Sequence, residues 1–389
     1  MKILLLNRSY YPNVGGIENS LYFLSQELHK QGHQVQILTQ ELQKKCEVRE
    51  EFAEIVRYPR YTYNKLILPF LPLVEKTKIA KWIALHKSEL RADVVICRDQ
   101  MLGLAYAKVF PETRVVYIPA VIIKFYNKGI REAYTVKQYI KELLRYIQLK
   151  LEEGQQKRIM EHADRVIVFS RNVKDQILTG QICNLDKVQI CYPGVSKKIS
   201  GKRNVDGDAK APTFLFVGRL VAEKNLDMLI DSFSMLSCPG KKLLIVGDGV
   251  LKYYLPQTAF EYGVKDDVIF VGETQTPEVY YEQGDFFVLP STYESFGQVI
   301  VEAMTAGVPV IGFPTIPGKT MTAIDELIED QRTGFVCSDF SEDALHNCLA
   351  EAAILFQNKN AYKQMRENCI RFAEENFSWK QLADACISQ

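Results

Sequence analysis

Short runs of consecutive apolar residues recur along the chain and alternate with stretches of helical periodicity. Continuous rather than alternating apolarity is typical of parallel strands buried on both faces of a sheet. The strands predicted in this way are residues 3–6, 35–38, 94–97, 115–118, 166–169, 213–217, 243–246, 268–271, 286–289 and 308–311. Helices are predicted at residues 17–30, 226–236, 277–283 and 298–306. This alternation predicts an α/β protein built from doubly wound parallel sheets.

The length of the chain favours two domains of ordinary size. A polar segment containing glycine and lysine, residues 196–211, separates the two series of strands and is predicted to be the interdomain linker. We therefore expect one Rossmann-like domain at residues 1–200 and a second at residues 201–373. Two such domains facing each other leave a cleft at the carboxyl ends of both sheets, where folds of this kind bind ligands.

Composition excludes several other classes of protein. The formal net charge of +1 argues against a nucleic-acid binder. The nine cysteines include no Cys-x-x-Cys pair, which favours reduced thiols in a cytoplasmic protein over disulfides or a zinc site. The apolar start at residues 1–6 is too short for a secretory signal, and residues 66–74 are too short to span a bilayer. We expect a cytoplasmic protein without a transmembrane helix.

Two glutamates, Glu294 and Glu302, bracket a turn containing Gly297 between a predicted strand and a predicted helix. Backbone N–H groups converge at the start of such a helix and attract phosphate. The two carboxylates are placed to accept hydrogen bonds from sugar hydroxyls and from a ribose diol. Glutamates at this spacing are by themselves more often solvated charges, but the context indicates a nucleotide-sugar site.

The string from Pro290 to Gly297, followed by Glu302-Ala303-Met304 and residues 306–310, resembles the donor-site signature of the retaining family 4 glycosyltransferases. This family, also called glycosyl transferases group 1, has the two-domain GT-B fold. The resemblance extends over essentially the whole chain and is sharpest from residue 214 to residue 310. It implies that Glu294 orients the donor sugar, that Glu302 binds ribose, and that a last helix at about residues 374–389 packs on the first domain. Five residues of the intervening loop and helix start are also implied to bind the donor: Ser295, Phe296, Gly297, Gln298 and Val299.

Glycines follow several of the predicted strands and allow a ligand to approach the backbone closely. Those predicted to lie near the donor are Gly15, Gly16, Gly218, Gly247 and Gly272. Arg219 and Lys224 match the Gly-Arg-Leu and Glu-Lys elements of the same family. Two cations on one loop can stabilise the charge that grows on a departing diphosphate. With Glu294, they are the predicted catalytic residues.

No metal ion or other cofactor is predicted. The only Asp-x-Asp string, residues 206–208, falls in the predicted linker, and Arg219 and Lys224 supply positive charge for the diphosphate. The resemblance implies a retaining reaction, in which an acceptor hydroxyl attacks from the front face and the leaving phosphate helps to remove its proton. The donor is expected to be a UDP or GDP hexose.

One departure from the family lies in the segment from Val115 to Val121, where many members carry a histidine near the C6 hydroxyl of the sugar. None of the five histidines of this chain falls in that segment. The departure leaves open a degenerate enzyme or a different donor sugar, and it is the one feature that favours a non-catalytic partner subunit that binds the donor. A sugar-nucleotide epimerase or a phosphorylase of the same fold is a further alternative to the transferase, although an epimerase would need acid and base groups at the sugar, where the histidine is missing.

Residues 124–158 contain more Lys and Arg than Glu and carry an apolar stripe at helical spacing: Val136, Ile140, Leu143, Ile147 and Leu151. The stripe by itself slightly favours a helix packed on the core of the first domain. The excess of positive charge indicates peripheral contact with the anionic inner face of the cell membrane. The predicted acceptor is accordingly a hydroxyl of a glycan or lipid-linked molecule in surface polysaccharide or glycoconjugate synthesis.

Overall fold

The structure, a computed structural model, describes residues 1–12, 15–42, 50–63, 70–126, 136–195 and 210–388. The chain forms two compact units. Unit 1 comprises Met1–Gly194 and Trp379–Gln389, and unit 2 comprises Val195–Ser378. The predicted boundary between residues 200 and 201 falls outside the described residues. The return to the first unit, placed by the sequence at about residue 374, occurs at Trp379 in the structure.

Unit 1 contains a seven-stranded parallel sheet in the order β3-β2-β1-β4-β5-β6-β7. Its strands are β1 (Lys2–Leu6), β2 (Gln34–Gln40), β3 (Glu54–Tyr58), β4 (Val94–Cys97), β5 (Arg114–Tyr117), β6 (Arg165–Val168) and β7 (Val188–Ile190). The order reverses between β1 and β4. In open α/β sheets, a ligand crevice forms outside the carboxyl ends of the strands at such a point.

The helices of unit 1 cover both faces of this sheet. They are α1 (Gly16–Lys30), α2 (Leu71–Leu85), α3 (Lys87–Leu90), α4 (Gln100–Val109), α5 (Ile123–Tyr126), α6 (Val136–His162) and α7 (Arg171–Gly180). Alternate residues of β1 enter two separate cores, Leu4 and Leu6 one of them and Ile3 and Leu5 the other. The double burial explains why this strand is apolar at every position.

Unit 2 contains a six-stranded parallel sheet in the order β10-β9-β8-β11-β12-β13. Its strands are β8 (Thr213–Val217), β9 (Lys242–Val246), β10 (Val268–Gly272), β11 (Phe286–Leu289), β12 (Val310–Gly312) and β13 (Gly334–Val336). Its helices are α8 (Leu226–Met235), α9 (Leu255–Glu261), α10 (Glu278–Tyr281), α11 (Gln298–Thr305), α12 (Ile324–Leu327), α13 (Glu342–Gln357) and α14 (Lys359–Asn376). The order reverses between β8 and β11. Both units are therefore doubly wound.

The last helix, α15 (Trp379–Ile387), belongs to unit 1. The Trp379 ring stacks on Phe23 of α1 with 5.6 Å between the ring centroids. Leu382 and Cys386 join the same core as Leu21 and Leu24 of α1. The helix thus packs against α1 on one face of the first sheet.

The start of one strand and the packing of one helix differ from the sequence-based expectation for identifiable physical reasons. The strand predicted at residues 308–311 begins at Val310, because Val308 N–H donates to the Ala303 carbonyl and completes the end of α11. The apolar stripe of α6 does not pack in the core as the sequence slightly favoured. Ile140 is 51% exposed and Leu143 and Ile147 are half-buried.

None of the helices in the described part of the chain has the length and apolarity needed to cross a bilayer. The cysteines of these residues are all free thiols, and Cys46 lies outside the described ranges.

Candidate active site

The turns that follow β8 and β9 are in direct backbone contact. Gly247 has a φ of +138°, and a Cβ atom added there would lie 1.9 Å from the carbonyl oxygen of Gly218. Leu220 N–H donates to the Asp248 carbonyl at 2.9 Å, and Gly218 N–H donates to the Val246 carbonyl at 3.0 Å. Only glycine fits at position 247, because any side chain would enter the neighbouring turn. The Gly218–Leu220 turn is consequently held by its neighbour.

Arg219 extends from this held turn into solvent. Its side chain is 74% exposed, and its nearest carboxylate is Glu223, with 3.9 Å between Nη2 and Oε1. An ion pair at that distance and exposure is weak. The guanidinium is therefore exposed to solvent, and its role in binding phosphate stays a prediction.

Lys224 and Glu294, two of the predicted catalytic residues, form an ion pair with each other. Lys224 Nζ donates to Glu294 Oε2, and only 13% of the lysine side chain and 19% of the glutamate side chain are exposed. Lys224 ends the short 3₁₀ turn Ala222–Lys224 after β8, whereas Glu294 lies in the loop after β11. The pair therefore spans the point where the strand order of unit 2 reverses.

Hydrogen bonds to backbone carbonyls hold the two loops that carry this pair. Thr292 N–H donates to the Glu223 carbonyl at 3.0 Å, and Asn225 Nδ2 donates to the Pro290 carbonyl at 2.8 Å. On its other side, Glu294 N–H donates to the Met321 carbonyl at 2.8 Å. The ion pair is thus part of a fixed framework and does not depend on two mobile surface chains.

The start of α11 is shaped by Gly297, whose φ of +82° favours glycine. A Cβ atom added there would lie 3.1 Å from Glu294 Cγ, so the glutamate side chain passes directly over this residue. Ser295, Gln298 and Val299 are half-buried beside it.

Phe296 differs from its neighbours because its side chain is part of the protein interior. It is 4% exposed, and its ring lies edge-on to Phe377 at 6.2 Å between centroids. Contact between Phe296 and a donor would therefore involve its backbone.

Glu302 lies on α11 and accepts a hydrogen bond from the buried Tyr281 hydroxyl at 2.8 Å. Burial raises the pKa of the Glu302 carboxyl from its ordinary value of 4.5 to about 7, and the Tyr281 hydrogen bond opposes this rise. Across the described residues, no hydrogen bond or ion pair links Glu302 to Glu294. The two glutamates thus have different surroundings, because Glu294 forms an ion pair with Lys224 and Glu302 lies buried beside Tyr281 with a raised pKa.

The remaining predicted glycines have open surroundings. Gly272 ends β10 with a φ of +83° and its carbonyl accepts from Gly247 N–H at 2.9 Å. In unit 1, Gly16 opens α1, and a Cβ atom added there meets nothing within 4 Å. At Gly15 an added Cβ would lie 2.7 Å from Glu18 Oε2, the end of a flexible side chain. Space around Gly16 leaves the backbone accessible.

In unit 1, sequence reasoning missed the charged residues that directly follow β1 and β4. Arg8 Nη2 lies 3.2 Å from Asp99 Oδ2, and Asp99 Oδ1 accepts from the Leu102 N–H at 2.8 Å to cap α4. Arg98, next to Asp99, is 8% exposed. The available signal was the abrupt change from an apolar run to polar and charged residues at positions 7–8 and 98–99.

The segment that lacks the family histidine is held by a residue distant in sequence. Gln156 of α6 donates through Nε2 to the Val121 carbonyl at 2.8 Å, and its Oε1 accepts from the Ile123 N–H at 2.9 Å. A buried amide therefore lies beside this loop. The Asp-x-Asp string at residues 206–208 lies outside the described residues.

Comparison with known families gives a consistent result over most of the chain. Residues 14–198 match the Glycosyltransferase Family 4 model, and residues 199–374 match the Glycosyl transferases group 1 model. The chain belongs to the group 1 glycosyltransferases. The two matched regions meet in the stretch that joins the two units.

Two relatives and one solved structure illustrate the range of this family. An uncharacterized glycosyltransferase of Methanocaldococcus jannaschii is 32% identical over 38% of this chain and 41% of its own length. The alpha-monoglucosyldiacylglycerol synthase of Streptococcus pneumoniae is 25% identical over 97% of this chain and 83% of its own. The match to the first therefore spans less than half of that relative.

The crystal structure of Anabaena HepE in complex with UDP and glucose superimposes with a TM-score of 0.70 at 19% identity, covering 100% of both chains. At this identity the likeness shows the fold alone. Both units of this group 1 glycosyltransferase have the α/β architecture of the GT-B class.

Proposed function

We propose that this glycosyltransferase moves a hexose from UDP or GDP to a hydroxyl of a glycan or lipid-linked acceptor, with retention of anomeric configuration. The observation that carries the proposal is the Lys224–Glu294 pair at the strand-order reversal of unit 2, with exposed Arg219 on the adjoining turn. This point of a doubly wound sheet is where a nucleotide ligand is expected. The alternation of cation and carboxylate suits a diphosphate attached to a sugar.

In this proposal, Arg219 and Lys224 bind the diphosphate. Negative charge on the diphosphate grows as the glycosidic bond breaks, and two cations fixed by the backbone stabilise that charge without reorganisation. Lys224 can approach a phosphate while it stays near Glu294, because an ammonium group has three donors. Because the two cations supply positive charge for the diphosphate, we expect a reaction that needs no metal ion. Activity that is unchanged by EDTA would support this expectation.

Glu294 and Glu302 are proposed to bind hydroxyl groups of the donor. Glu294 orients the sugar, with its position set by Gly297 beneath it and by Lys224 beside it. Glu302 accepts from the ribose diol in its ionised form. The backbone at Gly15, Gly16, Gly218, Gly247 and Gly272 and the residues Ser295–Val299 complete the proposed donor contacts.

The relatives support this choice of substrates. The Streptococcus pneumoniae relative is named as a synthase of a glucosylated diacylglycerol, and the Anabaena structure contains UDP and glucose. We propose UDP-hexose as the first donor to test and a hydroxyl at a membrane surface as the acceptor. No covalent enzyme intermediate is proposed: the acceptor attacks from the face that the phosphate leaves, and the phosphate takes the proton.

Contact with an anionic membrane is proposed through the first half of α6. Tyr139 and Ile140 are each 51% exposed and Leu144 is 39% exposed, while Lys141 and Lys150 on the same helix are also exposed. Exposed apolar and basic side chains on one helix are typical of a helix that lies in a membrane interface.

Co-sedimentation with vesicles containing anionic lipid should be lost in Ile140→Glu, and binding to neutral vesicles should be weak in every variant. Equal sedimentation of the wild type and Ile140→Glu would refute this contact. Such contact would place the enzyme at the inner face of the cell membrane.

The test of the donor site is calorimetric titration of the full chain with UDP, GDP and their hexose derivatives. Arg219→Ala should weaken nucleotide binding about tenfold or more, since a charged hydrogen bond contributes about 1.5–3 kcal/mol. Arg332→Ala is the matched control, because Arg332 is also an exposed arginine of unit 2 paired with a glutamate. Equal weakening in both variants, or no nucleotide binding by the wild type, would overturn the proposal.

A further inference from the structure

Arg98 is a buried cation at the carboxyl end of β4 in unit 1. It is 8% exposed, and its N–H donates to the Leu6 carbonyl at the end of β1 at 2.9 Å. The residue therefore lies where the strand order of the first sheet reverses between β1 and β4. This is the position at which a doubly wound sheet forms its ligand crevice.

No carboxylate pairs with Arg98 among the described residues. Its neighbour Asp99 is already paired with Arg8 and caps α4. Glu18, in the first turn of α1, lies with its carboxylate near Gly15. Its negative charge opposes the lowering of the Arg98 pKa by burial, but the described residues show no salt bridge between the two side chains. The contacts of the guanidinium are the Ser20 hydroxyl, at 2.5 Å from Nη1, and the ring of Phe169, 5.0 Å from Cζ.

The hydrogen bonding of this guanidinium leaves one edge available. Nη1 donates to Ser20, whereas Nε is buried and has no partner in the described part of the chain. Nε and Nη2 together form the edge of arginine that binds a carboxylate or phosphate through two parallel hydrogen bonds. Burial lowers the pKa of Arg98 from 12.5 to about 10, so the group is still a cation at neutral pH.

A buried guanidinium without a salt-bridged carboxylate costs stability, since desolvation of an unpaired charge amounts to several kcal/mol. A hydroxyl and an aromatic face compensate only part of that loss. Such a group is retained most readily where a ligand supplies the missing negative charge. The crevice position and the free edge agree with that role.

We propose that Arg98 binds an anionic group of a substrate that docks on unit 1, a carboxylate or a phosphate held by Nε and Nη2. This inference rests on the proposed function in one respect, because it takes the anionic ligand to be a substrate of the transferase. The anion has two sources, a carboxylate on a sugar of the acceptor or a phosphate on the acceptor. Either source would make the enzyme selective for a charged substrate over its neutral counterpart.

The experiment uses the full chain and four probes: glucuronate and glycerol 3-phosphate, with glucose and glycerol as their neutral counterparts. Binding is measured by calorimetry at constant ionic strength for the wild type, Arg98→Gln and Arg98→Lys. Arg366→Gln is the matched control, because Arg366 is a buried arginine of unit 2 that donates to Tyr362 and to the Ala306 carbonyl. UDP is titrated into each protein to report the donor site separately.

We expect the wild type to bind one anion and neither neutral probe, with glucuronate indicating a sugar carboxylate and glycerol 3-phosphate a phosphorylated acceptor. Arg98→Gln should weaken that binding about 10- to 100-fold. Arg98→Lys should give an intermediate loss because it keeps the charge without the planar edge, and Arg366→Gln should have no effect. If Arg98→Gln does not fold, Arg98→Lys still tests the claim through its loss of affinity.

Anion binding that is absent in the wild type or unchanged in the Arg98 variants would overturn the inference. If UDP still bound in that case, the proposed donor site would stand. Failure of UDP to bind any of the proteins would count instead against UDP as the nucleotide of the proposed donor.

Discussion

The ionisation of Glu302 offers a quantitative test of the site described in unit 2. Burial raises the pKa of this carboxyl from 4.5 to about 7. At about 1.4 kcal/mol per unit of pKa shift, this rise corresponds to about 3.4 kcal/mol in the free energy of unfolding. Because the residue is partly exposed, solvent screening reduces the expected effect to about 1–2 kcal/mol.

The direction of the effect follows from proton binding. Between pH 4.5 and about 7, the folded protein keeps the Glu302 proton that the unfolded chain has lost. The contribution of this group to stability is therefore complete below pH 4.5 and is lost as the pH rises through about 7. Glu302→Gln has no such titration and keeps an oxygen that can accept from Tyr281.

The assay is urea denaturation of the wild type and Glu302→Gln at pH 5 and pH 8. From pH 5 to pH 8, the free energy of unfolding of the variant should rise by about 1–2 kcal/mol relative to that of the wild type. Glu367→Gln, which changes an exposed glutamate of α14, controls for the general effect of removing a carboxylate. Equal stability differences at both pH values would refute the reasoning. Nucleotide affinity of the wild type should also fall below pH 7, and Glu302→Gln should abolish that pH dependence.

Three further substitutions test the packing and the electrostatics. Gly247→Ala should prevent folding or destabilise unit 2 by about 3 kcal/mol or more in thermal denaturation, because the new methyl group would lie 1.9 Å from the Gly218 carbonyl oxygen. Lys224→Met and Glu294→Gln should show a coupling energy of about 1 kcal/mol in a double-mutant cycle of stability, and additive effects would mean that the ion pair contributes nothing. Trp379→Ala should cost about 2–3 kcal/mol and expose the end of α15 to limited proteolysis, and unchanged protease resistance would contradict the packing of this helix on unit 1.

Continuous apolarity predicted the central strands of both sheets well, because those strands are buried on both faces. β8 was predicted with its observed ends. Three of the four edge strands were missed, whereas the edge strand β10 was predicted. β3 is mostly half-exposed along its length, and β7 and β13 have three residues each, too few to produce a pattern.

Helix α2 was not predicted from the sequence. The structure places Pro72 in the first turn, where proline lacks only an N–H that would have no partner in any case. A proline near a helix start therefore marked a beginning and not a break.

Residue types identified the candidate site, but the contacts within it came from the structure. Lys224 and Glu294 are 70 residues apart, and no local pattern indicates that they pair. The close backbone contact between the turns after β8 and β9 is likewise a product of the sheet order. Arg98 was missed because a single arginine after an apolar run gives no sign of its burial.

The most direct test of the central claim is a nucleotide-release assay with a panel of UDP and GDP hexoses and an acceptor fraction of membrane lipids and glycans. We expect one donor to release its nucleotide only when acceptor is present, with the sugar transferred in the anomeric configuration of the donor, and Glu294→Gln to abolish release. Binding without acceptor-dependent release would indicate a non-catalytic donor-binding subunit. Interconversion of sugar nucleotides without release would indicate an epimerase, and either result would contradict transferase activity.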